Sequence, residues 1–365
     1  MSGPVVISAG GTGGHMFPAL ALARELVRRG RRVALVTDRR GARFVEQGLP
    51  CHLVAAGSPS GTPSATVVGC VRLAGGVLQS LVLFRRLQPS AAACFGGYAS
   101  VPAAVAAGIR RRPLMLHEQN AVFGRANRLV ARFADAVALT FADTDELPEL
   151  RTGRVAVTGN PVRPEFAVAL APYAPPEPNE PVRVLVLGGS QGARVLSDVV
   201  PAAMALLPAE QRARIVLQQQ CRPEDLERAR AAYAALQLQA ELATFFPDVP
   251  RRMGEAHLLI ARSGASTVAE ILAVGRPSLL VPYRHAADDH QRANAARLAA
   301  AGAAEMLEEE TLTAGLLAER LAELMAAPDR LAAMAKAALT LARPDAARLL
   351  ADAVLALVPR HEVQP

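Results

Sequence analysis

The sequence predicts an α/β protein built from two Rossmann-like, doubly wound domains. Three observations carry that prediction. Short apolar runs alternate with helical periodicity along the chain, each half opens with a glycine loop, and 365 residues with 51% hydrophobic side chains exceed what one ordinary core needs. The domains are expected at 1–161 and 162–340, with a last helix, 341–365, packing back towards the first.

In the first half, Val5-Val6-Ile7-Ser8 reads as a strand, Gly10-Gly11-Thr12-Gly13-Gly14-His15 as a glycine loop, and Phe17 to Arg29 as a helix ended by Gly30. Val33-Ala34-Leu35-Val36 completes a βαβ unit. Ala91 to Phe95 is the next strand and runs into Gly96-Gly97-Tyr98, followed by a helix from Pro102 to Ala107. Leu114-Met115-Leu116 is a strand that delivers His117-Glu118-Gln119-Asn120 onto a loop. Three polar loops therefore end three strands on one carboxyl-terminal sheet edge, where ligands bind in such folds.

Val155-Ala156-Val157 leads to Thr158-Gly159-Asn160-Pro161, and the proline-rich stretch from Ala171 to Pro181 reads as a surface linker. The pattern then restarts with Val184-Leu185-Val186-Leu187, the loop Gly188-Gly189-Ser190-Gln191-Gly192-Ala193 and a helix around Ser197 to Leu207. Ile215-Val216-Leu217 is a strand. Leu258-Leu259-Ile260-Ala261 is another, and Arg262-Ser263-Gly264-Ala265-Ser266-Thr267 joins it to a helix that runs up to Gly275. The first turn of that helix offers backbone N–H groups and hydroxyls to a phosphate, and Glu270, one turn further, suits a ribose diol. An ordinary capped helix with a solvated glutamate is the plainer alternative.

Composition narrows the functional classes. A net charge of +7 favours an anionic partner. Lys336 is the only lysine, so no Walker-type Gly-Lys-Ser/Thr loop exists. Cys51, Cys70, Cys94 and Cys221 are scattered, against structural zinc or a disulfide scaffold. The start of the chain has no signal-peptide pattern. Thr62 to Phe84 is nearly apolar, but Gly69, Arg72, Gly75, Gly76 and Gln79 argue against a spanning helix. Met16 breaks the dinucleotide glycine spacing, although Asp38 could mimic the ribose acid of such sites.

Gly188-Gly189-Ser190-Gln191-Gly192 formally matches a nucleophile elbow, with Asp288 or Asp289 as acid and His290 or His361 as base. Read as a phosphate cradle, the same glycines explain the two-domain layout better. His15 could accept a proton from an attacking hydroxyl, and His117 with Glu118 forms a second candidate base; each could equally brace its loop.

Taken together and in order, Gly11 to His15, Gly96 to Tyr98, His117 to Asn120, Gly159 to Arg163, Gly188 to Ala193, Arg262 to Ala265 and Asp289 to Gln291 resemble the MurG family. These are bacterial glycosyltransferases of GT-B fold, whose two domains face each other across a cleft. They add N-acetylglucosamine to a lipid-linked muramyl-pentapeptide in peptidoglycan synthesis. The resemblance implies that UDP-N-acetylglucosamine lies mainly on the second domain. The uracil would sit against Phe245 and Phe246 and near Arg163, Ser190 with Ser266 and Thr267 would hold the diphosphate, and Glu270 the ribose.

Ala265, His290 and Gln291 would meet the sugar; some relatives carry Gln where this chain has His290. Thr12, His15, Tyr98, His117, Glu118, Asn120 and Asn127 would surround the acceptor's muramyl 4-hydroxyl and diphosphate, and Thr12, Gly13, Gly14 and Asn120 would also reach the donor. The implied reaction is inverting and β-1,4-forming, without metal or cofactor. The implied location is the cytoplasmic face of the cell membrane, bound peripherally to anionic lipid, and nucleic acid is not a partner. Val71, Leu73, Val77, Leu78, Leu81, Val82 and Phe84, edged by Arg72, Arg85 and Arg86 and extended by Arg110 to Arg112, are the expected membrane face.

Overall fold

The computed structural model describes residues 3–45, 47–59, 61–150, 152–168, 171–189 and 192–358. Ser190, Gln191 and His361 lie outside the described residues. The chain forms two compact units, Met1–Arg163 together with Arg343–Pro365, and Pro164–Ala342, dividing two residues beyond the positions read from sequence.

The first unit begins β1 (Val5–Ser8), α1 (Gly13–Arg28), β2 (Val33–Thr37), β3 (Cys51–Leu53) and α2 (Pro63–Leu87). It continues β4 (Ala91–Cys94), α3 (Val101–Ile109), β5 (Leu114–Glu118), α4 (Arg125–Val130), β6 (Ala136–Leu139) and β7 (Val155–Val157). Its sheet is parallel, in the order β3-β2-β1-β4-β5-β6-β7, with Val5 paired to both Val33 and Ala91. Helices cover both faces, which is why β1 and β4 are buried at every position and almost wholly apolar rather than alternating. The strand order reverses between β1 and β4. The glycine loops Gly10–Gly14 and Gly96–Gly97 leave from those two strands, at the crevice where such sheets bind ligands.

The second unit holds α5 (Pro164–Val168), β8 (Val182–Leu187), α6 (Arg194–Leu206), α7 (Ala209–Ala213), β9 (Ile215–Gln220), α8 (Leu226–Ala235), β10 (Ala240–Ala243) and α9 (Val249–Glu255). After these come β11 (Leu258–Ala261), α10 (Ala265–Val274), β12 (Ser278–Leu280), α11 (His290–Ala300), β13 (Ala304–Met306), α12 (Ala314–Met325) and α13 (Pro328–Leu341). The sheet order β10-β9-β8-β11-β12-β13 reverses between β8 and β11. Those strands carry the Gly188 and Gly264 loops. α14 (Ala346–Leu357) then returns to the first unit, burying Leu350, Ala351 and Val354 in a core shared with β1 and α1. Leu350 and Val354 each contribute about 1.5–3 kcal/mol.

Three expectations are revised. α1 begins at Gly13, so His15 stands in its first helical turn rather than on a loop. His117 and Glu118 are the last residues of β5, paired with Ala138 and Leu139, rather than the start of a loop. The proline-rich stretch is strapped onto the second unit, because its carbonyls are taken by arginines: Arg276 donates to Ala171, and Arg214 to Glu177 and Glu180. The Tyr173 hydroxyl also donates to His257 O, 3.0 Å away.

The fourth revision concerns α2, a continuous 25-residue helix whose length and composition suffice to cross a membrane. Its glycines do not interrupt it, because Gly69 and Gly76 sit one heptad apart on the inner face. A Cβ at Gly76 would come within 2.0 Å of Ala55 O, and one at Gly69 within 2.2 Å of Ser58 O. Phe84 is buried, and Leu73 and Leu81 pack against the core, so these three leave the expected membrane face. The outward stripe is instead Val67, Val68, Val71, Leu78 and Val82, each about half exposed or more, ending at exposed Arg85 and Arg86.

The neighbouring Gly75 faces open space. Gly75→Ala is therefore expected to raise helix stability by about 0.5–1 kcal/mol. Gly76→Ala, driven into the Ala55 carbonyl, should lower it by about 1–3 kcal/mol, so thermal melts of the two variants should move in opposite directions.

Candidate active site

At the first unit's switch point, a buried carboxylate organises the edge. Glu118 accepts from Asn120 N at 3.0 Å, Asn120 Nδ2 at 3.1 Å, Gly124 N at 2.9 Å and Asn127 Nδ2 at 2.7 Å. These four donors, two of them backbone, satisfy a charge that would otherwise be expensive to bury. They also fix the loop from Gln119 to Gly124 against the start of α4. Asn127 Nδ2 further donates to His117 O at 3.2 Å, which settles the amide's orientation. Asn127 Oδ1 is left buried with no hydrogen-bond partner. It is an acceptor for an incoming hydroxyl or amide.

His117 has both ring nitrogens engaged. Nε2 lies 3.0 Å from the Gly159 carbonyl, which can only accept, so that nitrogen carries the proton; Nδ1 accepts from Gln119 Nε2 at 2.8 Å. Phe95 stacks obliquely on the ring, with centroids 5.1 Å apart. Burial pulls its pKa down to about 4, and the nearby His15 adds to the effect.

His15 is half-buried, and its Nδ1 lies 3.0 Å from Thr12 Oγ1. Thr12 is the N-cap of α1, but its hydroxyl is turned to the ring instead of capping the helix. Gly96 and Gly97 hold φ of 75° and 69°. A Cβ on either would stand 3.5 Å from the His15 ring, and one on Gly96 also 3.5 Å from the Asn127 amide. It is the left-handed backbone that requires glycine at both positions, since 3.5 Å is an ordinary contact distance. His15, Asn127 and the Gly96-Gly97 backbone therefore converge. Tyr98 follows them, partly buried against the core. Gly13 and Gly14 form the first turn of α1, beside Phe17, which stacks edge-on to Phe44 and lies 4.9 Å beneath the Arg163 guanidinium. Arg163 thus belongs to this unit.

In the second unit, α10 starts at an extended Gly264 with no side-chain cap and ends at a left-handed Gly275. Ser266 Oγ in its first turn is a buried oxygen with no hydrogen-bond partner, and Thr267 follows it. The positive pole of the helix and this hydroxyl suit an anion. Glu270 is nearly buried on the next turn. At the opposite pole, buried Arg276 donates to the carbonyls of Val274 and Gly275 at 2.7 and 3.2 Å.

The first turn of α11 supplies His290 and Gln291. His290 Nδ1 donates to Ala287 O at 2.7 Å, Gln291 Oε1 accepts from Tyr283 N at 3.0 Å, and Gln291 O accepts from Ser263 Oγ at 2.8 Å. Phe245 is 71% exposed, whereas Phe246 is buried with the Arg252 guanidinium 4.2 Å over its ring. Phe246 therefore has no open face for a base, and only Phe245 does. The Gly188-to-Ala193 loop turns through Gly189 at φ 78° and Gly192 at φ 70°. Ser190, expected at the diphosphate, lies outside the described residues. Among the described residues no cluster of three His, Cys, Asp or Glu side chains could hold a metal ion.

Some contributors carry no signal in the sequence. Gln119, whose amide donates to His117 Nδ1, has no residue-type signature of that task, and Arg262 and Glu309 are 47 positions apart.

Residues 5–139 match the model of the glycosyltransferase family 28 N-terminal domain, and residues 183–350 that of its C-terminal domain. A Rhodospirillum centenum protein is 49% identical over 96% of this chain and 94% of its own length. One from Brucella suis biovar 1 is 48% identical over 99% and 96%. Both are named UDP-N-acetylglucosamine–N-acetylmuramyl-(pentapeptide) pyrophosphoryl-undecaprenol N-acetylglucosamine transferase. The crystal structure of Acinetobacter baumannii MurG superposes with a TM-score of 0.79 at 29% identity, covering 97% of this chain and 99% of that one.

The depressed His117 pKa fixes a pH dependence. Between about 4 and the ordinary 6.5 the unfolded chain binds a proton that the folded chain refuses, so stability rises with pH across this window and is lost on acidification. The loss from this ring should reach about 3 kcal/mol by pH 4. An NMR titration should show the ring still neutral at pH 5, and urea unfolding of His117→Gln should lose this part of the acid sensitivity.

Proposed function

Because the chain belongs to glycosyltransferase family 28, and within it to the MurG family, we propose that it moves N-acetylglucosamine from UDP-N-acetylglucosamine to lipid-linked muramyl-pentapeptide. The observation that carries this reading is the match of both halves, in order, to relatives named for that reaction. Each unit has a glycine-lined switch point of the kind that binds ligands in such folds, which supports this reading.

In the mechanism we propose, the α10 tip holds the donor diphosphate, with Ser266 Oγ donating to a phosphate oxygen. The helix pole stabilises the charge that develops as UDP leaves, an effect of up to about 2 kcal/mol in partly buried geometry. Glu270 accepts from the ribose diol, and Phe245 offers its open ring to the uracil. The acceptor's sugar hydroxyl, steered by Asn127 Oδ1, attacks the anomeric carbon from the face opposite UDP and inverts it to a β-1,4 bond.

His117 has no nitrogen left for this proton, since Gly159 and Gln119 occupy both, and the Glu118 carboxylate is saturated by four donors. The proton passes to His15, and His117 and Glu118 are positioning residues. The lipid-linked acceptor brings the protein to a membrane. The apolar stripe of α2, closed by Arg85 and Arg86 and followed by exposed Arg110 and Arg111, supports peripheral docking on anionic lipid at the cytoplasmic face.

With UDP-N-acetylglucosamine and lipid-linked acceptor the protein should release UDP, and its rate should survive EDTA. His15→Ala should lower kcat by about 100-fold or more while UDP affinity stays within about twofold. Unchanged turnover in that variant would remove His15 as the base. Val71→Asp with Leu78→Asp should abolish sedimentation with vesicles of anionic phospholipid while leaving the melting temperature unchanged; full retention on vesicles would refute docking through α2.

A further inference from the structure

A polar strut behind the donor-sugar loop has no part in the reading above, although its meaning rests on that reading. Arg262, the first residue after β11, is almost completely buried. Its Nη1 donates to the carbonyls of Val281 and Pro282, both at 3.0 Å, and to Glu309 Oε2 at 2.8 Å. The same Glu309 oxygen accepts the backbone N–H of Arg284 at 3.0 Å. The guanidinium also lies 5.3 Å from the Tyr283 ring centroid. Four consecutive residues, 281–284, are therefore held by one ion pair that joins β11 to the segment after β13.

What that holds in place is Tyr283 N, the donor to Gln291 Oε1. A backbone N–H can only donate, so the Gln291 amide is fixed with Oε1 towards Tyr283, and Nε2 is the end able to donate to a ligand. On the other flank, Ser263 Oγ donates to Gln291 O, and Asn294 Nδ2 donates to Ser263 O at 3.0 Å. Gln291 is thus tied to Ser263, which follows Arg262 in the chain, and to Tyr283, whose ring the guanidinium faces.

We infer that Arg262 and Glu309 are positioning residues for donor specificity: their ion pair sets the 281–284 backbone so that Gln291 presents Nε2 to an oxygen of the hexosamine ring. They act on the sugar and not on the nucleoside diphosphate, whose contacts lie on α10. The Arg262 pair also holds the Glu309 carboxyl below its ordinary range against the opposing effect of burial, so the ion pair persists at neutral pH.

Calorimetric titration with UDP, UDP-N-acetylglucosamine and its 4-epimer UDP-N-acetylgalactosamine tests this without the acceptor. Glu309→Ala should bind UDP within about twofold of the parent protein, bind UDP-N-acetylglucosamine about tenfold more weakly and lose most of its preference over the epimer. Glu309→Gln keeps an acceptor for both Arg262 and Arg284 N and should restore most of the loss. Should Glu309→Ala fail to fold by circular dichroism, Arg262→Lys carries the test, with the same split between sugar and UDP affinity expected. Unchanged sugar discrimination, or an equal loss for UDP and UDP-N-acetylglucosamine, would overturn the strut. Failure of the parent protein to bind UDP at all would instead overturn the donor-site reading.

Discussion

A carboxylate buried at the end of a parallel strand must be surrounded by donors, and Glu118 shows how much structure follows from that demand. Its four N–H partners come from Asn120, Gly124 and Asn127, so satisfying one charge orders a loop, the start of α4 and an amide. That amide, spent on its nitrogen side, is left with a single buried acceptor oxygen aimed by construction. Next to it, Gln119 and the Gly159 carbonyl occupy both ring nitrogens of His117, which is why the proposed mechanism gives the proton to His15 instead. The polar edge is a scaffold in which most of the ionisable groups serve to aim a few.

The second unit meets the same problem with a dipole. α10 has no side-chain cap where a negatively charged ligand is expected, and its far pole is closed by the Arg276 guanidinium, which finds four carbonyls and, among the described residues, no carboxylate. Two of those carbonyls, Val274 and Gly275, belong to the negative pole of the helix, and the guanidinium also faces the Tyr173 ring with its centroid 5.5 Å away. The same arginine secures the proline-rich stretch, so the segment that enters the unit is anchored to the back of the helix on which the donor reading depends.

Much of this was legible in the residues. Apolar runs of four with glycine loops behind them specify β1, β4, β8 and β11, because a strand buried on both faces tolerates little else. The α10 junction from Gly264 to Gly275 was readable to its last residue, since glycine at the left-handed terminus is an unambiguous stop. Where the reading failed, the cause was tertiary. Gly69 and Gly76 look like helix breakers until the Ala55 and Ser58 carbonyls they accommodate are known. Phe246 looks like a base-stacking platform until Arg252 is seen across its face. His117 looks like a base because a sequence does not show which carbonyl its proton already meets. The Arg262–Glu309 pair, like the tautomer set by Gln119, exists only in the folded chain.

The return of α14 to the first unit has a consequence for how the protein is made. Leu350, Ala351 and Val354 complete a core otherwise furnished by α1 and the strands β1, β2, β4, β5 and β6. The ribosome supplies these side chains only after it has finished the whole of Pro164–Ala342. During synthesis the earlier-made half therefore waits with an apolar groove open along α1, while the later-made half already possesses every strand of its own sheet. Order of manufacture and order of completion are therefore reversed.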